Sequence, residues 1–176
     1  MRPDGDAGGQ RAAPAAPANP ESSAAAEDVA LRILTAAAQS AAALQRRLLR
    51  RGFTPEAAAA AVAAMRKRGY VDDAALAGSI AARRQRSGHG RLHVAAELRV
   101  RGLDDESIAG TLRDVDTDDE RAAALALGRR LAVRPANDLA DPRGRQRLGG
   151  ALQRRGFDTE TVTWVLRALA SEAPPG

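Results

Sequence analysis

The stretch Gln45-Arg-Arg-Leu-Leu-Arg-Arg-Gly-Phe-Thr-Pro-Glu56 decides how this chain folds, because the chain writes its pattern three times. The three copies align on glycines that lie 50 and 54 residues apart. In each copy an arginine precedes the glycine, a glutamate follows it by four positions, and large apolar residues recur at fixed offsets on both sides. The aligned glycines are Gly52, Gly102 and Gly156. Agreement at so many offsets indicates an internal repeat.

Each repeat is predicted to contain a helix, a glycine stop and a second helix. Apolar residues four positions apart share one helix face, and a glycine directly after them ends a helix by taking the left-handed conformation. The residue two positions after each glycine is then an N-cap, whose side-chain oxygen accepts hydrogen bonds from free backbone amides. The expected caps are Thr54, Asp104 and Asp158.

The composition favours closely packed helices. The 176 residues include no cysteine and only 2% aromatic residues, so the core must consist mainly of Ala, Leu and Val. No apolar run approaches the roughly 20 residues of a membrane helix, and the N-terminus lacks the apolar core of a signal peptide. We therefore expect a cytoplasmic protein that does not bind a membrane.

The net charge of +5 conceals blocks of opposite sign along the chain. Residues 44–101 hold 13 basic and 4 acidic side chains, residues 104–120 hold 1 and 8, and residues 121–155 hold 9 and 2. Such patterning indicates a polyanion or an acidic protein surface as a partner.

The predicted fold is all-α, with three tandem three-helix repeats and no sheet, because no segment alternates with a period of two. Residues 1–26 are rich in Ala, Pro and Gly and are expected to form a disordered tail. The three repeats are expected at 27–70, 71–115 and 116–171, followed by a C-terminal tail at 172–176. The helices are expected at 27–39, 41–51, 55–67, 73–86, 91–100, 105–114, 118–132, 143–154 and 159–170.

Two groups of side chains have spacings that suggest chemistry. Asp72 and Asp73 could serve as an acid–base pair or bind a hard cation, but carboxylates at the start of a helix usually cap it. The pair at 118–119 repeats them in the third repeat, which favours capping.

A metal triad is the second such group, with His89, His93 and Glu97 spaced four apart. Glycines on both sides of His89 place it in a turn rather than on the helix, and the chain has no cysteine and no further histidine to complete a site. We predict no metal, no cofactor and no catalytic residue, so we do not expect an enzyme.

The arginines divide into two kinds. Those beside the repeated glycines, Arg51, Arg101 and Arg155, are predicted to be structural. The others form either a solvated face or a surface that binds phosphates or an acidic partner. The candidate partner-binding residues are Arg46, Arg47, Arg50, Arg66, Lys67, Arg68, Tyr70, Arg83, Arg84, Arg86, Arg91 and Arg99. The residues assigned to the structural motif are Gly52, Gly69, Asp72, Asp73, Gly102 and Gly156. Tyr70 either stacks on a partner or wedges between repeats.

The chain resembles the RecX family of regulatory proteins. Gly69-Tyr-Val-Asp-Asp73 is similar to the family's Gly-Tyr-Leu-Asp-Asp signature, and Glu97-Leu98 and Arg101-Gly102-Leu103 follow at the family's spacing. Arg154-Arg-Gly-Phe157 resembles the family's C-terminal element. The resemblance covers about residues 27–170. The chain departs from the pattern at Leu76, where the family has phenylalanine, and at Gly150-Ala151, where it has an Arg-Phe pair.

This resemblance implies an elongated, curved array of three repeats that acts as a monomer. It also implies binding to the RecA recombinase, chiefly as the filament on single-stranded DNA, and inhibition of ATP hydrolysis, strand exchange and filament growth during recombinational DNA repair. It leaves open whether the protein caps filaments or coats their groove, and whether it touches DNA directly.

An alternative is a non-specific DNA-binding protein built of tandem helix-turn-helix-like modules. The helices after Gly52, Gly102 and Gly156 are rich in alanine or acidic residues, which disfavours reading of base edges. Contact with phosphates stays open.

Overall fold

The protein is all-helical over residues 16–134 and 137–172, which are the residues that the computed structural model describes. This confirms the predicted fold class. Within those ranges the chain forms α1 (Ser23–Ala36), α2 (Ala41–Arg50), α3 (Pro55–Lys67), α4 (Asp73–Arg86), α5 (Arg91–Val100), α6 (Asp105–Arg113), α7 (Thr117–Ala132), α8 (Pro142–Arg154) and α9 (Thr159–Glu172).

The first helix begins earlier than predicted. Ser22 caps α1, with its Oγ accepting a hydrogen bond from the backbone amide of Ala25 at 3.1 Å. Residues 23–26, which we assigned to the tail, are therefore helical, and Ala26 is fully buried. Residues 1–15 of the predicted N-terminal tail and residues 173–176 of the predicted C-terminal tail lie outside the described residues, and Glu172, which we assigned to the C-terminal tail, is the last residue of α9.

The start of the third repeat also differs from the prediction. Asp116 caps α7, and its carboxylate accepts hydrogen bonds from the amides of Asp118 and Asp119 at 2.7 and 3.2 Å. The Asp pair is therefore not the cap that the echo of Asp72 suggested. It lies in the first turn of α7, where negative charge favours the positive end of the helix dipole.

The repeated glycines adopt the predicted left-handed conformation. The φ angles of Gly52, Gly102 and Gly156 are 94°, 83° and 85°. The expected caps are also confirmed: Thr54, Asp104 and Asp158 accept hydrogen bonds from amides three residues later, at 3.3, 2.8 and 2.7 Å. Each repeat thus ends its second helix and starts its third within four residues, as local backbone chemistry requires.

The chain folds as two compact units. One contains the described residues up to Ala37 together with Leu44–Tyr70, and the other contains Ala38–Ala43 and the described residues from Val71 onward. In the first unit α1 packs on α3, and the buried residues of the two helices include alanines, Ile33 and Met65. One border between these units lies between Tyr70 and Val71, and residue 115 lies inside the second unit. The borders of the three repeats stay a prediction.

The second unit contains two apolar clusters, one for each repeat. The buried members of the first are Leu76, Ala77, Ile80, Ala81, Val94, Ala95, Leu98, Leu103 and Ile108. Those of the second are Ala124, Leu127, Leu148, Leu152, Phe157, Val162, Val165 and Leu169. The apolar positions that recur around each glycine supply much of both clusters, although Leu112 and Leu166 are only partly buried.

Backbone atoms join these two repeats closely. The amide of Gly90 donates to the carbonyl of Arg155 at 2.9 Å, and the amide of Leu92 donates to the carbonyl of Gly156 at 3.0 Å. A Cβ on Gly90 would lie 2.4 Å from the Gly156 carbonyl oxygen, so only glycine allows this approach. The start of α5 is therefore fixed against the turn between α8 and α9.

Candidate partner-binding surface

The basic side chains of α2 are exposed and have no partner within the part of the chain that the structure describes. Leu44 and Leu48 form the buried side of this helix, and Arg46, Arg47 and Arg50 project away from it into solvent. Within the described residues, none of these three arginines makes a hydrogen bond or an ion pair. Their charges are therefore available to a partner.

A small cavity brings some of these charges together. Arg47 and Arg50 line it with Arg51, beside the apolar side chain of Ile33 from α1. Its volume is about 370 Å³. Three guanidinium groups around one opening would favour an anion or a carboxylate. Arg51, which we predicted to be structural, thus contributes to the same basic surface.

The end of α3 carries the other candidates of the first unit. Arg66 and Lys67 are exposed in its last turn, where positive charge favours the negative end of the helix dipole. Arg68 forms an ion pair with Glu27 at 2.8 Å and so also links α3 to α1. Tyr70 is 57% exposed and stays a candidate for contact with a partner.

In the second unit, the carboxylate of Glu97 forms ion pairs with three arginines. Glu97, whose side chain is only 12% exposed, pairs with Arg83 at 2.9 Å, with Arg84, and with Arg101 at 3.0 Å. Burial alone would raise the pKa of Glu97, but the hydrogen bonds and charges of Arg84 and Arg101 lower it below its ordinary value. The pairings at Arg83 and Arg84, unlike the free charges of α2, hold α4 against α5. These two candidates therefore serve the fold as well as the surface.

Glu97 is thus engaged by arginines rather than by the histidines of the suspected triad. The rings of His89 and His93 lie with their centroids 4.3 Å apart and their planes tilted by 36°. Burial lowers the pKa of His89, and the charges of His93, Arg155 and Arg84 lower it further. No group of three or more metal-binding side chains occurs in the part of the chain that the structure describes.

Arg91, another of the candidates, forms an ion pair within the fold. Its backbone amide and its Nε donate to the two carboxylate oxygens of Glu120 at 2.7 and 2.5 Å. Glu120 is 4% exposed and the Arg91 side chain is 27% exposed, so this pair joins α5 to α7 and engages the charge of Arg91 within the fold. The two residues are separated by 29 positions in the sequence, so local spacing could not predict that they pair.

The remaining two candidates of the second unit are exposed. Arg99 contacts Asp105 at 3.3 Å, and both side chains are largely in solvent, so this pair holds neither residue firmly. Arg86 makes no ion pair within the described residues and lines a cavity with His89 and Glu120.

Sequence reasoning missed the outer side of α5. Leu92 is 53% exposed and Val100 is 83% exposed, and Ala96 lies between them on the same side of the helix. The signal was present in the repeat alignment, because the positions of Ala96 and Val100 are Arg46 and Arg50 in the first repeat. Because arginine occupies these positions in the first repeat, an apolar residue there is not required to form the core.

The geometry defines a class of protein in which three-helix modules follow one another and present basic surfaces. Comparison with known proteins supports the division into three-helix modules. The sequence matches the RecX first three-helix domain over residues 26–64, the second over 72–112 and the third over 118–166.

Similar proteins extend these matches over most of the chain. The regulatory protein RecX of Mycolicibacterium smegmatis is 36% identical over 155 residues, which cover 84% of this chain and 81% of that protein. The regulatory protein RecX of Stenotrophomonas maltophilia is 37% identical over 138 residues, covering 78% of this chain and 83% of that protein. The chain belongs to the RecX family, and these relatives are named as regulatory proteins rather than as enzymes.

Solved structures show the same fold. The crystal structure of RecX from Lactobacillus salivarius matches with a TM-score of 0.77 at 15% identity, covering 85% of this chain and 97% of that chain. A second crystal structure of regulatory protein RecX matches with a TM-score of 0.70 at 19% identity, covering 81% and 70%. No helix among the described residues is long and apolar enough to cross a membrane.

Proposed function

We propose that this protein binds the RecA recombinase, chiefly as its filament on single-stranded DNA, and inhibits ATP hydrolysis, strand exchange and filament growth. Membership of the RecX family supports a regulatory role. A regulator of this kind works by binding and needs no catalytic group. Several modest contacts from successive helical modules would add up through their high effective concentration.

The observation that carries the proposal is the charge of α2, which has no partner in residues 16–134 and 137–172. Arg46 and Arg50 lie four residues apart on a helix, where like charges repel and destabilise it. No acidic side chain among the described residues compensates Arg46, Arg47 or Arg50. The arrangement is therefore unfavourable in the free protein and becomes favourable when carboxylates or phosphates of a partner approach.

The first experiment measures ATP hydrolysis by the cognate RecA on single-stranded DNA while this protein is titrated in. We expect inhibition. Inhibition at well below one copy per RecA protomer would indicate capping of filaments or cooperative blockage. Inhibition that needs about one copy per protomer would indicate coating of the groove. No inhibition at any ratio would contradict the proposal.

A charge-matched comparison then tests the α2 surface. The triple variant Arg46→Gln, Arg47→Gln, Arg50→Gln is expected to need about tenfold more protein for half-maximal inhibition, because several charge-assisted contacts are lost. The control removes the same charge from exposed positions of the second unit, Arg113, Arg130 and Arg154. Equal losses in both variants would mean that only net charge matters.

The same proteins distinguish the DNA-binding alternative. A non-specific DNA binder would bind duplex DNA without RecA, with an affinity that falls steeply as salt is raised. Strong duplex binding together with unimpaired ATP hydrolysis by RecA would favour that function over the one proposed.

A further inference from the structure

We propose that the outer side of α5, formed by Leu92, Ala96 and Val100, is a docking surface for a protein partner that presents an apolar side chain ringed by carboxylates. The inference rests on the proposed function, under which this partner is a surface of the RecA filament. It adds an apolar contact in the second unit to the basic contact proposed for α2.

The apolar character of this surface is not needed for folding. In the register of the repeats, the positions of Ala96 and Val100 are Arg46 and Arg50 in α2. In the third repeat, the three positions of the surface are occupied by Gln146, Gly150 and Arg154. All three repeats form the same helix there, so polar and charged side chains suffice for the architecture.

The exposure of this surface is costly in the free protein. Leu92 and Val100 are 53% and 83% exposed, whereas the buried side of the same helix, with Val94, Ala95 and Leu98, is covered almost completely. Apolar residues on both sides of one helix indicate that a second surface packs against it. Covering Leu92 and Val100 would stabilise a complex by the removal of their side chains from water.

The surroundings indicate the chemistry of the partner. A shallow cavity of about 400 Å³ lies beside Ala96 and Val100, and Arg84 and Arg101 form part of its wall. Together with Arg83, these arginines share the single carboxylate of Glu97, so the cluster keeps a net positive charge. An apolar side chain can enter the cavity while carboxylates around it meet the partly exposed guanidinium groups.

The same features disfavour other occupants. A second copy of this chain would present the same arginines, and a symmetric pairing would set like charges against each other. Single-stranded DNA offers phosphates and bases, but leucine and valine have no aromatic face on which bases stack. A protein with an acidic rim is the partner that fits both the apolar centre and the positive border.

The test uses the double variant Leu92→Ser, Val100→Ser in the full chain. We expect its half-maximal inhibitory concentration for ATP hydrolysis by RecA to rise about tenfold or more, since two apolar contacts are lost. Val133→Ser is the matched control, because Val133 is also 83% exposed but lies at the end of α7. We expect this control to stay within about twofold of the parent protein, in line with an isolated surface substitution.

Salt separates this contact from the basic one. The loss in the double serine variant should persist when salt is raised, because apolar contacts are not screened, whereas the loss in the triple α2 variant should shrink. Circular dichroism and thermal melting should show that the double variant folds like the parent.

Each other outcome has a distinct meaning. Normal inhibition by the double variant would overturn this inference and leave the proposed function intact. Failure of the parent protein to bind or inhibit RecA would overturn both. A homodimer in sedimentation that dissociates in the double variant would assign the surface to a second copy, and an equal loss of DNA affinity without RecA would assign it to DNA. Either result would overturn the inference.

Discussion

Among single residues, Glu97 is the one on which fold and surface charge both depend. Its side chain is 12% exposed, and its carboxylate accepts hydrogen bonds from Arg83 and Arg84 on α4 and from Arg101, which directly follows α5. A carboxylate that is largely removed from water is stabilised by such partners. The sequence spacing suggested a metal triad that included Glu97, which we disfavoured, and in the structure this residue holds α4 on α5.

The stability that Glu97 contributes should depend on pH. Because the pKa of Glu97 is lowered in the folded protein, its contribution is present above the unfolded-state value near 4.5 and is lost as pH falls through the lower folded value. We expect Glu97→Gln to lower the free energy of unfolding by about 1–2 kcal/mol at neutral pH.

The measurement is urea denaturation of both proteins from neutral pH down through the acid range. The difference between them should shrink below pH 4.5, the ordinary value for this group. Comparing the two proteins removes the contribution of other carboxylates with lowered pKa values, such as Asp158. A difference that is constant with pH would show that the ionised carboxylate does not provide the stabilisation.

Gly102 allows a paired test of the glycine stop. Its φ is 83°, a conformation in which an alanine side chain is strained, so we expect Gly102→Ala to destabilise the protein by about 1–2 kcal/mol. Gly78 makes the matched control, since it lies inside α4 with no atom within 4 Å of the Cβ that alanine would add. Gly78→Ala should stabilise by about 0.5–1 kcal/mol. Thermal melting that moves in the same direction for both variants would contradict the assigned stop.

At the scale of helices, the joint between the second and third repeats is made by the first residues of α5. Gly90 and Leu92 donate backbone hydrogen bonds to the turn after α8, and Arg91 pairs with buried Glu120 on α7. A second joint in the same unit is formed by the corresponding residues of the preceding repeats. There Ser40, which corresponds to Gly90, donates its Oγ hydrogen to the Arg101 carbonyl at 2.5 Å, as Gly90 donates to the Arg155 carbonyl. The start of the middle helix is therefore a connecting element in both places.

Substitution of Gly90 tests this joint. Its φ is −82°, so alanine causes no backbone strain, but the added Cβ would lie 2.4 Å from the Gly156 carbonyl oxygen. We expect Gly90→Ala to destabilise by about 1–3 kcal/mol, as overpacking does. Gly110→Ala in α6 is the control, where the nearest atom to the new Cβ is an arginine nitrogen at 3.7 Å. Equal melting temperatures for Gly90→Ala and the parent would show that the two elements can separate without cost.

At the scale of the whole molecule, the chain is divided into two compact units although its repeats number three. The second and third repeats share one unit, in which the joint at Gly90 connects two apolar clusters. The proposed basic contact lies in the first unit and the proposed apolar contact in the second. A partner that engages both contacts at once would bind this protein more tightly than a partner that engages only one of them.

Most helix positions, the glycine stops and the caps that follow them were determined by the sequence alone, because each depends on residues within about four positions of one another. Eight of the nine described helices begin within one residue of the prediction, and α1 begins earlier because Ser22 caps it. The RecX resemblance was visible for the same reason, since its motifs are short and local.

Only the tertiary structure decided which charges are free. Arg91 looked like the arginines of α2, yet it is held by Glu120, 29 residues away, while Arg46, Arg47 and Arg50 remain in solvent. The exposure of Leu92 and Val100 likewise depends on which side of α5 meets its neighbours. Local spacing places a side chain on a helix face, but whether that face meets a carboxylate, a core or water is set by packing between elements that are distant in the chain.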